Sequence, residues 1–231
     1  MSTNIKKAIS VLSGGLDSTV ATSFFAEEYD IQAITFNYGQ KSLDQEIDAS
    51  LKLCQKLGMK HTIIDLLWLA NIGNSALTSD NEVPQVNFED IEDIETNENT
   101  ADKVWVPGRN IVFSAIATSF AEGEDAEIII VGWDKEEAAT FPDNSKEFLN
   151  SFNNMILEGT KASEKIKIKA PLIDLNKKEI VQLGKKINAP FDITYSCYNG
   201  ENIHCGRCGS CIRRKKAFLD ANIQDPTVYK E

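Results

Sequence analysis

The sequence predicts an α/β protein: a Rossmann-like parallel sheet with helices on both faces, followed by a small C-terminal motif of four cysteines. Three observations predict it. Short apolar runs alternate with amphipathic stretches in the order β-α-β-α-β up to Asp65, the pattern of a doubly covered parallel sheet. A glycine-containing segment joins the first strand to the first helix. Four of the five cysteines fall between Cys197 and Cys211. With 231 residues, 42% of them hydrophobic, the chain can bury one good-sized core without disulfides. The expected division is an α/β body over 1–190 and a metal-binding segment over 191–231 packed on the same domain.

The elements follow in order. Ala8 to Leu12 reads as a short buried strand and Ser18 to Glu28 as a helix with Val20, Ala21, Phe24 and Phe25 on one side. Ile31 to Phe36 is the second strand. Ser42 to Leu57 is an amphipathic helix with Leu43, Ile47, Leu51 and Leu57 at helical spacing, stopped by Gly58. His61 to Asp65 is the third strand. Ser79 to Lys103 breaks the pattern: it is acidic, rich in Asn and Glu, and lacks apolar periodicity. It reads as a long mobile excursion, either a disordered loop or an active-site lid. Helix resumes over Ile111 to Ala121, strand over Ala126 to Val131, and helix over Lys146 to Glu158. Lys165 to Lys169 alternates Lys and Ile, as at a sheet edge. Asn176 caps a helix ending near Ile187, with Glu179 three residues on. A basic helix runs from Ile212 to Ala221.

The formal net charge is −11. This argues against broad binding of a phosphate backbone, which needs a basic face, and for a small-molecule substrate. Two histidines, His61 and His204, leave little material for chemistry based on histidine. No apolar run has the length of a membrane span. The apolar N-terminal stretch is cut off by Ser13-Gly14-Gly15, too early for a signal peptide. A soluble cytoplasmic protein is expected, acting neither on a membrane nor directly on nucleic acid.

The segment Ser13-Gly14-Gly15-Leu16-Asp17-Ser18 lies where the first strand ends and the first helix begins, the ligand-binding edge of a parallel sheet. Its glycines permit a tight turn and close backbone approach. Ser13 and Ser18 offer hydroxyls, and the helix start offers unpaired N–H groups and a positive dipole end. Together they suit phosphate or pyrophosphate. Asp17 beside an anion implies a bridging Mg²⁺. The segment is neither a Walker A loop nor a G-x-G-x-x-G turn. The plainer alternative is a turn whose Asp and Ser cap the helix.

Cys197, Cys205, Cys208 and Cys211 have the spacing C-x7-C-x2-C-x2-C. Four thiolates so close can enclose Zn²⁺ tetrahedrally, a closed structural site. An iron–sulfur cluster uses the same residue type, and His204 is a conceivable substitute ligand. Cys54, on a helix, reads as a small core residue. Arg207, Arg213, Arg214, Lys215 and Lys216 gather near the motif, as a solvated helix face or as a patch for an anionic substrate. The solvated reading is favoured for Lys215 and Lys216.

The S-G-G-L-D-S segment matches the S-G-G-x-D-S signature of the PP-loop ATP pyrophosphatases. With Tyr38-Gly39-Gln40-Lys41, Val106-Pro107-Gly108-Arg109-Asn110, Phe141-Pro142-Asp143, Ser196-Cys197-Tyr198-Asn199-Gly200 and the cysteine spacing, the chain resembles the 7-cyano-7-deazaguanine synthase family from about Lys7 to Tyr229. The resemblance implies an adenine nucleotide alpha hydrolase-like fold and an ATP-dependent carbon–nitrogen ligase. Its substrates are 7-carboxy-7-deazaguanine and ammonia, and its product feeds queuosine or archaeosine synthesis in tRNA. It implies that Ser13, Gly14, Gly15, Leu16, Asp17 and Ser18 hold ATP and Mg²⁺, with Asp17, Ser18 and Arg109 catalytic. Arg109, Asn110 and Asp143 would bind the substrate. For Asp143, a plain turn residue after Pro142 is an equal alternative. Thr140-Phe141-Pro142-Asp143-Asn144-Ser145 departs from the family's usual Gly-Tyr-Pro-Asp-Cys-Arg, and Trp133-Asp134-Lys135-Glu136-Glu137 departs from its commoner pattern, so a relative acting on another carboxylate is the alternative. A homodimer is expected.

Two other functions compete. A tRNA-thiolating PP-loop ATPase needs a basic RNA face and reactive cysteines, against the net charge of −11 and the lone Cys54. A nucleotide-binding regulatory module would have lost turnover, against the intact Asp17 and Ser18.

Overall fold

A computed structural model of the chain describes residues 6–91, 93–162 and 164–230. Among these, five strands form one parallel sheet in the order β3-β2-β1-β4-β5. β1 is Lys6–Val11, β2 Tyr29–Asn37, β3 Lys60–Asp65, β4 Ile128–Ile130 and β5 Lys167–Lys169. The chain winds outward from β1 through β2 to β3, then returns to the other side of β1 for β4 and β5. The order therefore reverses between β1 and β4, which opens a crevice at the carboxyl ends of those strands. β5 is an edge strand, as the Lys/Ile alternation predicts.

Period-2 alternation divides the strand side chains between two apolar layers. Ile9, Ile34, Ile129 and Ile168 pack against Ala117 and Ala121 of α4 (Arg109–Gly123) and Phe152 and Ile156 of α5 (Lys146–Gly159). On the other face, Ala8, Ile31, Ile128 and Ile130 meet Val20 and Ala21 of α1 (Leu16–Phe25) and Ile180 and Val181 of α6 (Lys177–Lys186). Ala217 and Phe218 of α7 (Gly209–Asp220) join that layer. α2 (Leu43–Leu57) completes it with Leu53 and Cys54 on Leu12 and Ala33. Cys54 is thus a core residue.

Four expectations need correction. The buried face of α2 is Ala49, Ser50, Leu53 and Cys54, while Leu51 is exposed. Small residues face the sheet here because the phosphate loop lies directly against this helix. Phe24 of α1 is likewise exposed. The basic helix begins at Gly209 rather than Ile212, so Cys211 lies in its first turn.

The fourth correction concerns the described residues of 79–103, which are not a disordered loop. They contain α3, Ile94–Val104, capped by the Asp93 side chain on the Thr96 N–H at 2.8 Å. Val83, Val86, Ile91, Ala101 and Val104 are buried. The partner that composition could not reveal is the cysteine motif. Val86 N–H donates to the Arg207 carbonyl at 2.9 Å, and Gln85 pairs with Cys208 as an antiparallel bridge. Arg213 donates to the Asn97 side chain at 2.9 Å, and Val86 and Ile91 pack on Ile212.

The crevice is closed to side-chain growth at Gly132, the second residue past β4. A Cβ there would lie 2.7 Å from the Ser18 nitrogen and 2.9 Å from the Asp17 carbonyl carbon. Gly132→Ala should therefore push the first turn of α1 outward and destabilise the fold by about 1–3 kcal/mol. Denaturant unfolding measures this. Stability equal to wild type would contradict the tight approach of β4 to α1.

Candidate active site

The phosphate loop spans Ser13 to Ser18 between β1 and α1. Gly14 has φ +71°, and a Cβ on it would lie 2.7 Å from the Ala49 Cβ and 2.8 Å from the Glu46 carbonyl. Only glycine fits this left-handed position against α2. The two hydroxyls hold each other, Ser13 Oγ to Ser18 Oγ at 3.0 Å, and Gly15 N–H donates to Ser13 Oγ at 3.3 Å. They tie the loop rather than cap the helix: Gly15 is the N-cap of α1, and no side chain caps it. By contrast α3, α5 and α6 carry side-chain caps from Asp93, Ser145 and Asn176. The start of α1 therefore presents bare N–H groups and the positive end of its dipole to the crevice.

Asp17 points into a buried charge cluster. Lys177 Nζ donates to Asp17 Oδ2 at 2.8 Å, Asp134 Oδ2 at 2.9 Å and Glu137 Oε1 at 3.2 Å. Asp134 is fully buried, and its Oδ1 accepts the N–H groups of Glu136 and Glu137 at 2.9 and 3.1 Å. One ammonium thus serves three carboxylates. Burial pushes the Asp134 carboxyl up to about 7, against the pull of Lys177, with Glu137 and Asp17 adding to the rise. Burial also raises Asp17. Burial opposes the charge of Glu137 too, but Lys177 outweighs it and holds this carboxyl below its ordinary value. Burial likewise opposes the Lys177 ammonium, and the three carboxylates hold it well above the ordinary lysine range.

The cluster also fits a divalent cation. Asp17 Oδ1 is buried without a hydrogen-bond partner. Ligand oxygens of Asp17, Asp134 and Glu137 lie within 4.8 Å of one another. An orphaned carboxylate oxygen among hard oxygen donors, beside a phosphate loop, has the chemistry of a Mg²⁺ ligand.

A cavity of about 230 Å³ opens beside the loop. Arg109, Asn110 and Asp143 line it, at the mouth of the crevice. Arg109 Nη1 donates to the Tyr38 hydroxyl at 3.3 Å, and its guanidinium lies over that ring, 5.6 Å from the centroid. It is not the surface ion pair it might resemble in sequence. Burial pushes the Tyr38 phenol up to about 12, so it stays a neutral partner. Asn110 N–H donates to Asp143 Oδ2 at 3.3 Å, and Asn110 Nδ2 to Asn144 Oδ1 at 3.3 Å. Asp143 is buried, with its pKa raised by that burial and pulled back by Arg109.

The sulfurs of Cys197, Cys205, Cys208 and Cys211 are buried and lie within 4.8 Å of one another, Cys205 and Cys211 at 3.9 Å. A tetrahedral site with metal–sulfur bonds of about 2.3 Å sets ligand sulfurs about 3.8 Å apart, so the four fit a tetrahedral metal. Cys205 and Cys208 N–H groups donate to sulfurs of the set. His204 does not join the set: its Nε2 accepts the Ser196 N–H at 2.9 Å, and among the described residues only the four sulfurs converge. The motif touches the site directly. Tyr195 N–H donates to the Gly14 carbonyl at 2.9 Å, and Cys197 and Tyr198 line the cavity. The nearby cations are mostly engaged elsewhere. Arg214 is buried on Asp225, Thr194 and Ser196, Lys215 donates to the Gly206 carbonyl, and Lys216 pairs with Asp220.

Lys177, Asp134 and Glu137 were not legible as site residues. One signal existed: Lys177 follows the cap Asn176 at the first helical position, where the macrodipole disfavours a cation. A residue that breaks a local rule marks a functional constraint.

Lys177→Met should leave one buried and two half-buried carboxylates uncompensated, lower stability at pH 8 by about 3–5 kcal/mol and abolish turnover. The sign with pH is defined. Without Lys177 all three carboxyls titrate above their unfolded values, so the deficit shrinks as pH falls toward 5. A deficit that grows on acidification, or a variant as stable as wild type, would contradict the cluster's role.

The chain matches the family model described as queuosine biosynthesis protein QueC over residues 7–222. It is 62% identical over 226 residues to a protein of Methanobrevibacter smithii named 7-cyano-7-deazaguanine synthase, covering 98% of this chain and 99% of that one. Proteins of the same name from Methanosphaera stadtmanae and Methanothermobacter thermautotrophicus are 57% and 51% identical. They cover 97% of this chain and 99% and 100% of their own. With its phosphate loop, its cysteine cluster and nearly its whole length aligned, the chain belongs to the QueC family.

Proposed function

We propose that the chain is an ATP-dependent ligase that converts 7-carboxy-7-deazaguanine and ammonia to 7-cyano-7-deazaguanine. One observation carries the reading: a single cavity joins a bare phosphate loop, an acidic cluster and the Arg109–Asp143 pair. A nucleotide and an anionic, hydrogen-bonding acid can meet there.

A carboxylate is a poor electrophile, and adenylation gives it a leaving group. One carboxylate oxygen attacks the α-phosphorus of ATP and pyrophosphate leaves. Ammonia adds to the acyl carbon, and AMP departs with that oxygen, giving the amide. A second ATP adenylates the amide oxygen. Loss of both remaining protons from nitrogen and of AMP from carbon then leaves the nitrile. In this scheme Ser13, Gly14, Gly15, Leu16, Asp17 and Ser18 hold the triphosphate, with N–H groups aimed where negative charge builds. Bound Mg²⁺ would neutralise phosphate charge, held by Asp17 with its free Oδ1. Lys177 keeps the Asp17 carboxylate in place. Arg109 pairs bidentately with the substrate carboxylate, and Asn110 and Asp143 take the ring edge.

The four cysteines would hold a closed structural Zn²⁺ that fixes Tyr195 and Cys197 beside the loop. No helix among the described residues is long and apolar enough to cross a membrane. With a net charge of −11, the free acid in the cytoplasm, rather than tRNA, is the fitting substrate.

Mass spectrometry of products tests the reading, with ATP, Mg²⁺, ammonium and 7-carboxy-7-deazaguanine supplied. The nitrile is expected with two AMP and two pyrophosphate for each acid consumed. Zinc-loaded protein that binds ATP but leaves the acid untouched would contradict it.

Asp17→Ala should lose turnover by at least a hundredfold yet retain one zinc per chain by elemental analysis. Loss of the metal together with activity would contradict the separation of the two sites.

A further inference from the structure

Two side chains at the cavity have no part in the scheme above. Trp105 is the first residue past α3, and Phe141 precedes Pro142 in the turn that carries Asp143. Both line the cavity and both are half-buried. Their rings are nearly parallel, 9° between planes, with centroids 5.9 Å apart. Thirty-six positions of sequence separate them, so the pair exists only because the fold brings two segments together. Trp105 arrives there because residues 83–104 are held on the cysteine motif, through Val86, Gln85 and Asn97.

A stack of two parallel aromatic rings left half-open at the cavity is matched by a flat heterocycle laid against it. Such stacking tolerates any ring, so neighbouring polar groups decide which ring it takes. Here those neighbours are Asp143, two residues beyond Phe141, and Arg109, whose chain neighbour Asn110 bonds to Asp143 at 3.3 Å. A carboxylate acceptor and a cation close together complement a ring with N–H donors on one edge and a carboxylate on the other. They complement adenine less well, because it offers a carboxylate only its N6 amino group, flanked by the acceptors N1 and N7, and offers the cation no carboxylate. On the other flank Phe36 stacks on Phe113 at 4.1 Å, and the carboxylate there, Glu46, already accepts from Ser42 and Gln40, so this side remains for the nucleotide.

We propose that Trp105 and Phe141 form the surface on which the heterobicyclic ring of the acid substrate stacks, with Trp105 a specificity-determining residue. This rests on the substrate reading given above. The aromatic pair sets the plane of the ring, and Asp143 and Arg109 set its direction within that plane. The carboxylate is thereby aimed toward the phosphate loop.

The test compares Trp105→Leu with Trp105→Phe in the full-length enzyme. Leucine keeps apolar bulk for folding but removes the flat face; phenylalanine keeps a face. The readouts are KM for 7-carboxy-7-deazaguanine, KM for ATP, and calorimetric binding of the acid without ATP. W105L should weaken both acid readouts roughly tenfold, the scale of one lost ring–aromatic stack, and leave KM for ATP within about twofold. W105F should stay within about threefold of wild type on all readouts. Unchanged acid binding in W105L overturns the proposal. A rise in KM for ATP instead assigns the surface to adenine and also overturns it. Equal damage in W105F and W105L reduces Trp105 to packing. Failure of the wild-type enzyme to consume the acid overturns the substrate reading instead.

Discussion

One buried ammonium organises the site. Lys177 is shared by Asp17, Asp134 and Glu137, which come from α1, from the segment after β4, and from the turn before Phe141. Three carboxylates cannot be brought so close in a protein interior without a cation. Lys177 supplies it and so fixes four segments of chain at one point. The phosphate loop inherits its position from this arrangement. The surplus negative charge and the orphaned Asp17 Oδ1 then provide for a second cation when one arrives with the nucleotide. In the proposed function this arrangement would receive a metal–phosphate group, with one carboxylate oxygen unpaired.

Around that point the fold repeats one theme: ordinary stabilising devices are withheld where a ligand must bind. Helices α3, α5 and α6 are closed by side-chain caps, whereas α1 is not. The hydroxyls of Ser13 and Ser18 bond to each other and leave the helix start open. Gly14 and Gly132 give up side chains so that α2 and β4 can press against the loop. The cysteine motif reaches this centre through Tyr195 and Cys197, and reaches the cavity's far wall through the segment that ends at Trp105. The small cysteine clip thus supports two sides of one pocket.

Sequence periodicity revealed the sheet and its helices, because runs such as Ile128-Ile129-Ile130 and the Asn176–Glu179 capping box encode local structure. The phosphate loop and the cysteine set were legible for the same reason: their residues are neighbours in the chain. What stayed hidden depends on contacts across the chain. Lys177 lies 160 positions from Asp17 and 43 from Asp134, and neither spacing leaves a pattern. The acidic stretch over 79–103 concealed its fold because its apolar residues are sparse. Val83, Val86 and Ile91 become core only against a partner, the cysteine motif, far along the sequence. Leu51 misled for the opposite reason: helical spacing marks an apolar face, but close approach of the phosphate loop to Ala49 turned a different face of α2 inward.

The central claim is that this pocket directs the α-phosphoryl group of ATP onto an oxygen of the substrate acid. Oxygen-18 in the substrate carboxylate tests it most directly, with the label followed by mass spectrometry into AMP and pyrophosphate. The account predicts that each acid converted to nitrile yields two AMP molecules, each carrying one substrate-derived oxygen, with none in pyrophosphate. Label in inorganic phosphate or pyrophosphate, or unlabelled AMP alongside consumed acid, would contradict it.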